Sequence, residues 1–316
     1  MAQAKGGGCK TGFKFGCFGC LAVIFLLTLI TAIIFGIAWN QLRNEEVETK
    51  ELTKVLTVPE PVGIEDGDLE VPTEFVVSEP AGRVILDLRN TVFEIRPARP
   101  GEPLSIEARF DINNYGLSEN FDEGTDEEGW TYEVSFRRTS DSYALTALKE
   151  LLGGSKPRVK VFLPSDVPYD LELDIMQGGA EVELGGLWLT NVDLHFLQGG
   201  GAVEFGEPLQ RPAESVAIEF SQGGGAIEGV GNASPSTLDV SFSMGGGYID
   251  LRGPWQQDAE ITIDQSMGGV SVHLPSNVVL RGIGRYDTEE PAERGEEVPV
   301  LRFSTSSHYG ELEFIK

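Results

Sequence analysis

Residues 193–205 read DLHFLQGGGAVEF, and close copies recur through the second half of the chain. They are LDIMQGGAEVEL at 173–184, AIEFSQGGGAIEG at 217–229, DVSFSMGGGYIDL at 239–251 and ITIDQSMGGVSVHL at 261–274. A weaker copy, RFSTSSHYGELEF at 302–314, follows an acidic insertion around Thr288–Glu297. The residue just before the glycines falls at Gln177, Gln198, Gln222, Met244, Met267 and Ser307, with a spacing of 21 to 24 residues as far as Met267. Self-similarity at this period marks a solenoid or stacked-strand architecture.

Aligning the copies on that residue gives two apolar columns. Five positions on stand Val182, Val203, Ile227, Ile249, Val272 and Leu312, and seven on stand Leu184, Phe205, Gly229, Leu251, Leu274 and Phe314. They share parity, so one face of each strand is apolar and buried. Each copy then reads as one rung: a strand, a glycine corner and a second strand. No rung buries its apolar face alone, so rungs must stack about 4.8 Å apart. Gly179, Gly201, Gly225, Gly247 and Gly269 are the expected structural corners, because glycine takes positive φ without a Cβ clash. The Gln177/Gln198/Gln222 column predicts an amide ladder along the stack, continued in apolar form by Met244 and Met267.

Six positions past the Gln/Met column, facing outward, stand Glu183, Glu204, Glu228, Asp250, His273 and Glu313. Like charges stacked in register repel. Two readings follow: an ordinary solvated acidic face, or a cation-binding ladder at Glu183, Glu204, Glu228 and Asp250, with calcium as the candidate ion. The acidic stretch DEGTDEE at 122–128 lacks the spacing of an EF-hand loop. Gly199-Gly200-Gly201 is no phosphate loop, since neither a helix nor a Lys-Ser/Thr pair follows. His195, His273 and His308 fall at three different repeat positions, so they form no evident metal site. No catalytic residue and no cofactor-binding residue emerges.

The formal net charge is −26. Residues 1–40 carry Lys5, Lys10 and Lys14 and no acid, leaving 21 Lys+Arg against 50 Asp+Glu in the remainder, a net of −29. Such a surface repels phosphate polymers, which argues against nucleic acid as a partner. All three cysteines, Cys9, Cys17 and Cys20, precede the apolar run, so no disulfide staples the large domain. Cys17-x-x-Cys20 with Cys9 leaves a zinc site one ligand short.

Leu21 to Trp39, LAVIFLLTLITAIIFGIAW, holds nineteen residues without a charge, about enough to span a ~30 Å hydrocarbon core. Its length favours an uncleaved anchor over a signal peptide cut near Gly36-Ile37-Ala38. The flanking lysines predict that the N-terminus stays cytoplasmic and the bulk of the chain crosses the membrane. The expected domains are a cytoplasmic tail at 1–17, a transmembrane anchor at 18–40, a juxtamembrane helix and linker at 41–81, and an ectodomain at 82–316 with glycine-centred repeats at 171–275 and 301–316. Within the linker, 40–57 reads as a helical extension of the anchor. Strands are expected at 83–88, 92–95, 104–110 and 130–136, and a short amphipathic helix at 142–152. The fold class is all-β, a stacked-strand, β-helix-like solenoid with one N-terminal transmembrane helix.

Val159-Lys160-Val161-Phe162-Leu163-Pro164, Leu173-Asp174-Ile175, Gly178-Gly179-Ala180, Leu184-Gly185-Gly186-Leu187 and Met267-Gly268-Gly269-Val270-Ser271-Val272-His273-Leu274-Pro275 together resemble the bacterial putative-adhesin or "toast-rack" domains, relatives of the Lia-type envelope-stress proteins. The resemblance covers roughly 82–316. It implies a β-solenoid, often membrane-tethered and envelope-associated, with no catalytic residues to carry over. The chain departs from the Lia type in having a single helix behind a short cysteine-bearing tail. The expected function is therefore a non-enzymatic, membrane-tethered interaction or sensing module whose partner is an envelope protein or cell-wall polymer. A surface adhesin or structural scaffold is the alternative. A carbohydrate-active β-helix enzyme is the third reading, with paired carboxylates and Arg281 and Arg285 near the end of the repeats.

Overall fold

Strands form wherever apolar and polar residues alternate, and the alternation is obeyed residue by residue. In Tyr169–Ile175 the burial pattern is strictly in-out, and Tyr169, Leu171, Leu173 and Ile175 are all at the core. The structure, a computed structural model, describes residues 82–124, 129–139, 157–288 and 298–316, together with the backbone of 49–55. These residues belong to one compact unit. In chain order the strands are β1 Thr49–Val55, β2 Gly82–Leu88, β3 Thr91–Pro97, β4 Ser105–Asp111, β5 Tyr115–Asp122, β6 Thr131–Arg138, β7 Arg158–Leu163, β8 Tyr169–Ile175 and β9 Gly178–Glu183. They continue as β10 Leu189–Phe196, β11 Gly199–Glu204, β12 Ser215–Gln222, β13 Gly225–Glu228, β14 Thr237–Met244, β15 Gly247–Asp250, β16 Ala259–His273, β17 Val279–Arg281 and β18 Val300–Ile315.

Two parallel ladders run side by side. One joins β6, β2, β8, β10, β12, β14 and the first halves of β16 and β18. The other joins β7, β3, β9, β11, β13, β15 and the second halves of β16 and β18. Each rung contributes one strand to each ladder and, where its connection is described, turns a corner between them, which is the expected solenoid. Antiparallel strands close the first end, with β5 on β6, β4 on β7 and β1 on β4. At the other end β17 pairs with Val300–Arg302, and the Tyr286 hydroxyl donates to the Phe314 carbonyl at 2.7 Å.

Four features depart from the sequence expectation. The first is the number and order of rungs. Beyond the six expected copies, β2–β3 and β6–β7 are rungs too, and β2–β3 is stacked between β6–β7 and β8–β9. Its corner, Arg89-Asn90, has no glycine, and Asn90 takes the left-handed conformation itself at φ 69°, as asparagine can.

The second is the corner. Positive φ belongs to Gly178, Gly199, Gly223, Gly245 and Gly268, one or two residues before the expected Gly179, Gly201, Gly225, Gly247 and Gly269. At Gly199 a Cβ would lie 1.7 Å from the Gly178 carbonyl oxygen. Backbone therefore sits directly on backbone at the turn. Gly201, Gly225 and Gly247 are glycines for another reason, since a Cβ there would lie 2.2–2.3 Å from the rings of Phe196, Phe220 and Phe242.

The third is register in the last rung. Met267 faces Tyr309, Val270 faces Leu312 and Val272 faces Phe314, so Ser307 and Glu313 each stand two residues away from their expected columns. Glu313 faces Ser271, and His273 faces Ile315. A two-residue shift keeps every side chain on its face. The fourth is β1. Thr49–Val55 is a strand on β4, where a helix over 40–57 is expected; its β-branched Thr49, Thr53 and Val55 suit a sheet edge. The rest of that stretch, the anchor, the three cysteines and the 142–152 helix lie outside the described residues. Among the described residues no helix is long and apolar enough to cross a membrane.

Inside the corner, the rings of Phe196, Phe220 and Phe242 stack with centroids 4.7 and 4.9 Å apart and planes within 13°, matching the strand spacing. Five residues after each phenylalanine stands a glycine. Where the register places Ile175, Gln265 and Ser307 in the ring column, the facing residues are Ala180, Val270 and Leu312. Volume is exchanged across the corner from rung to rung. Gly201→Ala alone is expected to destabilise by about 1–3 kcal/mol through overpacking. Adding Phe196→Ile, which recreates the Ile175/Ala180 pair, is expected to recover at least about half of that in a denaturation double-mutant cycle. Gly199→Ala should find no such rescue, because what it meets is a carbonyl.

Candidate functional site

The two ladders leave two outward sheet faces and one exposed corner ridge. On the face formed by the first ladder, Asp87, Asp174, His195 and Glu219 stand in one register column, and Glu172 and Asp193 stand beside it in the next. His195 Nδ1 lies 2.9 Å from Asp174 Oδ1, and Nε2 lies 3.2 Å from Asp193 Oδ1. Partial burial by itself pushes the imidazole pKa down. The Asp174 hydrogen bond and the charges of Asp193, Asp174 and Glu219 outweigh that and hold it above the ordinary histidine value. Arg83 pairs with Glu172 at 2.5 Å, and Arg89 grips Asp87 through Nε and Nη2 at 2.7 and 2.8 Å. Lower on the same face, Ser306 Oγ donates to Asp264 Oδ1 at 2.5 Å. The sequence carries a signal for this cluster: Asp174, His195 and Glu219 each stand three residues before the glutamine column.

On the second face the expected carboxylate column is assembled. Glu204 is in register with both Glu183 and Glu228, and Asp250 faces His273. Its members are not equivalent. Asp250 is only 8% exposed and is held by Arg252, whose backbone N–H, Nε and Nη2 all donate to it at 2.7–2.9 Å. Burial pushes the Asp250 pKa up, but those hydrogen bonds and the Arg252 charge take it below the usual carboxylate range. Glu183 lies 3.5 Å from Arg96 Nη2, whereas Glu204 and Glu228 are exposed to solvent. Among the described residues no three acidic, histidine or cysteine side chains converge closely enough to hold a metal ion. Between this column and the corner, Gly179, Gly200, Gly224, Gly246 and Gly269 leave a bare strip beside the corner, and the next column holds Glu181, Ala202, Ala226, Tyr248 and Ser271.

Along the corner, Asn90, Gln177, Gln198, Gln222, Met244, Met267 and Tyr309 form one column. The amide ladder exists in its first half. Asn90 Nδ2 donates to Gln177 Oε1 at 2.5 Å, and Gln177 Nε2 donates to Gln198 Oε1 at 3.1 Å. Met244, Met267 and Tyr309, at 42%, 45% and 84% exposed, extend it as an apolar ridge. The Asn90 and Tyr309 ends of this column lie outside the expected alignment.

No protein-family model matches the chain, and no curated protein does. Solved structures resemble it, three of them as follows. One is a putative cell adhesion protein from Clostridium sporogenes, 12% identical over 84% of this chain and 99% of that one, with a TM-score of 0.33. Another is a putative adhesin from Bacteroides fragilis, 11% identical over 86% and 100%, TM-score 0.39. A putative adhesin from Parabacteroides merdae is 11% identical over 84% and 97%, TM-score 0.24.

A histidine whose folded pKa is raised adds stability below its unfolded value, about 6.5, and that stability is lost as pH rises through the raised value. The melting temperature of His195→Gln should therefore fall below wild type near pH 6 and approach it near pH 9, when followed by circular dichroism. Since Arg252 already occupies Asp250 and Arg96 approaches Glu183, millimolar calcium is expected to leave the wild-type melting temperature unchanged.

Proposed function

We propose that the chain is a non-enzymatic interaction module of a bacterial cell envelope, tethered by the Leu21–Trp39 segment and presenting its solenoid outside the cytoplasm. The observation that carries this reading is the in-register stack itself. Among the described residues, eight rungs turn short strands into two broad faces and a corner ridge. The polar residues on them are arranged in columns instead of converging on a reaction centre. Columns of this kind suit recognition of an extended or repeating partner, because each rung repeats the contact made by the one before. The acidic faces favour basic or cation-bridged partners and disfavour anionic polymers. The lysine-bearing, acid-free N-terminal tail and the uncharged Leu21–Trp39 run support the tether.

Photo-crosslinking residues placed at Asp193, Glu204 and Gln198, one on each surface, test this in the full-length chain in its own membrane. At least one position is expected to yield a discrete envelope adduct, while a control at Glu207, in the connection after β11, yields none. Absence of any adduct above the control from all three surfaces would count against an interaction module.

A further inference from the structure

The corner ridge borders a groove of about 460 Å³ that follows the stacking direction across four rungs. Its wall is the amide column Asn90, Gln177, Gln198 and Gln222, and its floor includes the half-buried Met176 and Leu197. Arg89 stands at one end but is already held by both oxygens of Asp87, and Ser221 Oγ donates to Glu219 at 2.7 Å. The groove is therefore close to neutral on a molecule whose formal charge is −26.

Each primary amide has two N–H donors and a carbonyl with two lone pairs. Gln177 uses one donor and one acceptor site within the ladder, which leaves a donor and a lone pair for something outside the chain. Among the described residues, Gln198 accepts in the ladder and donates to no group, and the Gln222 amide has no side-chain partner. The wall thus repeats a neutral donor–acceptor pair once per rung, about every 4.8 Å. Hydroxyl groups are likewise donor and acceptor at once. A row of hydroxyls complements this wall, whereas an anion meets the field of the whole molecule and a cation finds better partners on the acidic faces. The thioether of Met176 and the isobutyl group of Leu197 give the floor an apolar surface for the C–H side of a ring. A ligand lacking polar groups would leave the amides unpaired and be rejected on that account.

We propose that this groove binds a neutral glycan strand lying along the stacking axis, its hydroxyls on the Asn90–Gln222 amides and its C–H faces on Met176 and Leu197. The assignment rests on the interaction-module reading and gives one surface of it a ligand class. Three rung spacings, roughly 14 Å, accommodate a short oligosaccharide instead of a single sugar. Past Gln222 the same column offers Met244, Met267 and the 84%-exposed Tyr309 ring, so a longer strand gains apolar and aromatic contacts.

The test titrates the detergent-solubilised full-length chain with β-1,4-linked oligomers of glucose and of N-acetylglucosamine, from one to six units, by calorimetry. Binding of at least one series is expected, tightening with length. Both Gln198 and Gln222 are exposed, so a Gln198→Ala/Gln222→Ala chain is expected to melt as wild type does. It should bind about tenfold more weakly, the loss of roughly one to two net hydrogen bonds, while Glu204→Gln on the second face binds as wild type. Wild-type chain that binds neither series, or a double variant that melts and binds as wild type does, overturns the assignment. If envelope adducts form at Asp193 or Glu204 while neither series binds, the glycan groove is overturned and the interaction module stands.

Discussion

Adjacent rungs lie one parallel-strand spacing apart, about 4.8 Å, and at the corner that gap is filled by backbone alone. The carbonyl of Gly178 occupies the place a Cβ on Gly199 would need, and the same stacking joins Gly199 to Gly223, Gly223 to Gly245 and Gly245 to Gly268. Everything else follows from this contact. Because the turns superpose, the strands on either side stay in register. Because they stay in register, like positions form columns. The columns then dictate side-chain chemistry: rings stack at 4.7–4.9 Å in the interior, amides chain together on the ridge, and carboxylates on the faces must find cations or water.

The interior of the molecule is legible in its sequence because alternation has a period of two and burial follows it. Val182, Val203, Ile227, Ile249 and Val272 are almost wholly buried, as the alignment of the copies requires. Which of several consecutive glycines makes the turn is not legible, because glycines look alike until φ and the phenylalanine rings tell them apart. The rung β2–β3 is hidden for the opposite reason: Asn90 does the work of a glycine. Tyr309 escapes its column because a two-residue shift leaves the in-out pattern intact. Thr49–Val55 carries a local pattern compatible with either helix or strand, and the free edge of β4 decides it.

The site is legible to a different degree. The carboxylate column on the second face could be read position by position, but not the way Arg252 and Arg96 divide it: Arg252 lies two residues past Asp250, outside the column, and Arg96 continues the column on the β2–β3 rung, which the repeat does not reveal. His195 could have been placed among acids from its repeat position alone. Beyond the rings the column turns polar: Gln265 is 1% exposed, accepts from Ser307 at 2.9 Å and, among the described residues, has no partner for its Nε2. The aromatic stack thus stops two rungs from the end, and on β18 Thr305 stands in register with Ile263 and Ser307 with Gln265. Polarity thus rises toward the β18 rung, as it does in repeats that cap a stack.

Surface chemistry divides along the same geometry. Acids are spread over both faces, while the ridge between them is neutral, first amide and then apolar. This gives a single rigid scaffold several chemically distinct surfaces. The register on which all of them depend is open to direct measurement by disulfide trapping in a chain whose Cys9, Cys17 and Cys20 are replaced by serine. In-register neighbours about 4.8 Å apart lie within the Cα separation a disulfide spans, and positions two rungs apart do not. Mild oxidation should close Met267→Cys with Tyr309→Cys and leave Met244→Cys with Tyr309→Cys open. Closure of the second pair, or of Met267→Cys with Ser307→Cys in place of the first, would contradict the stack described.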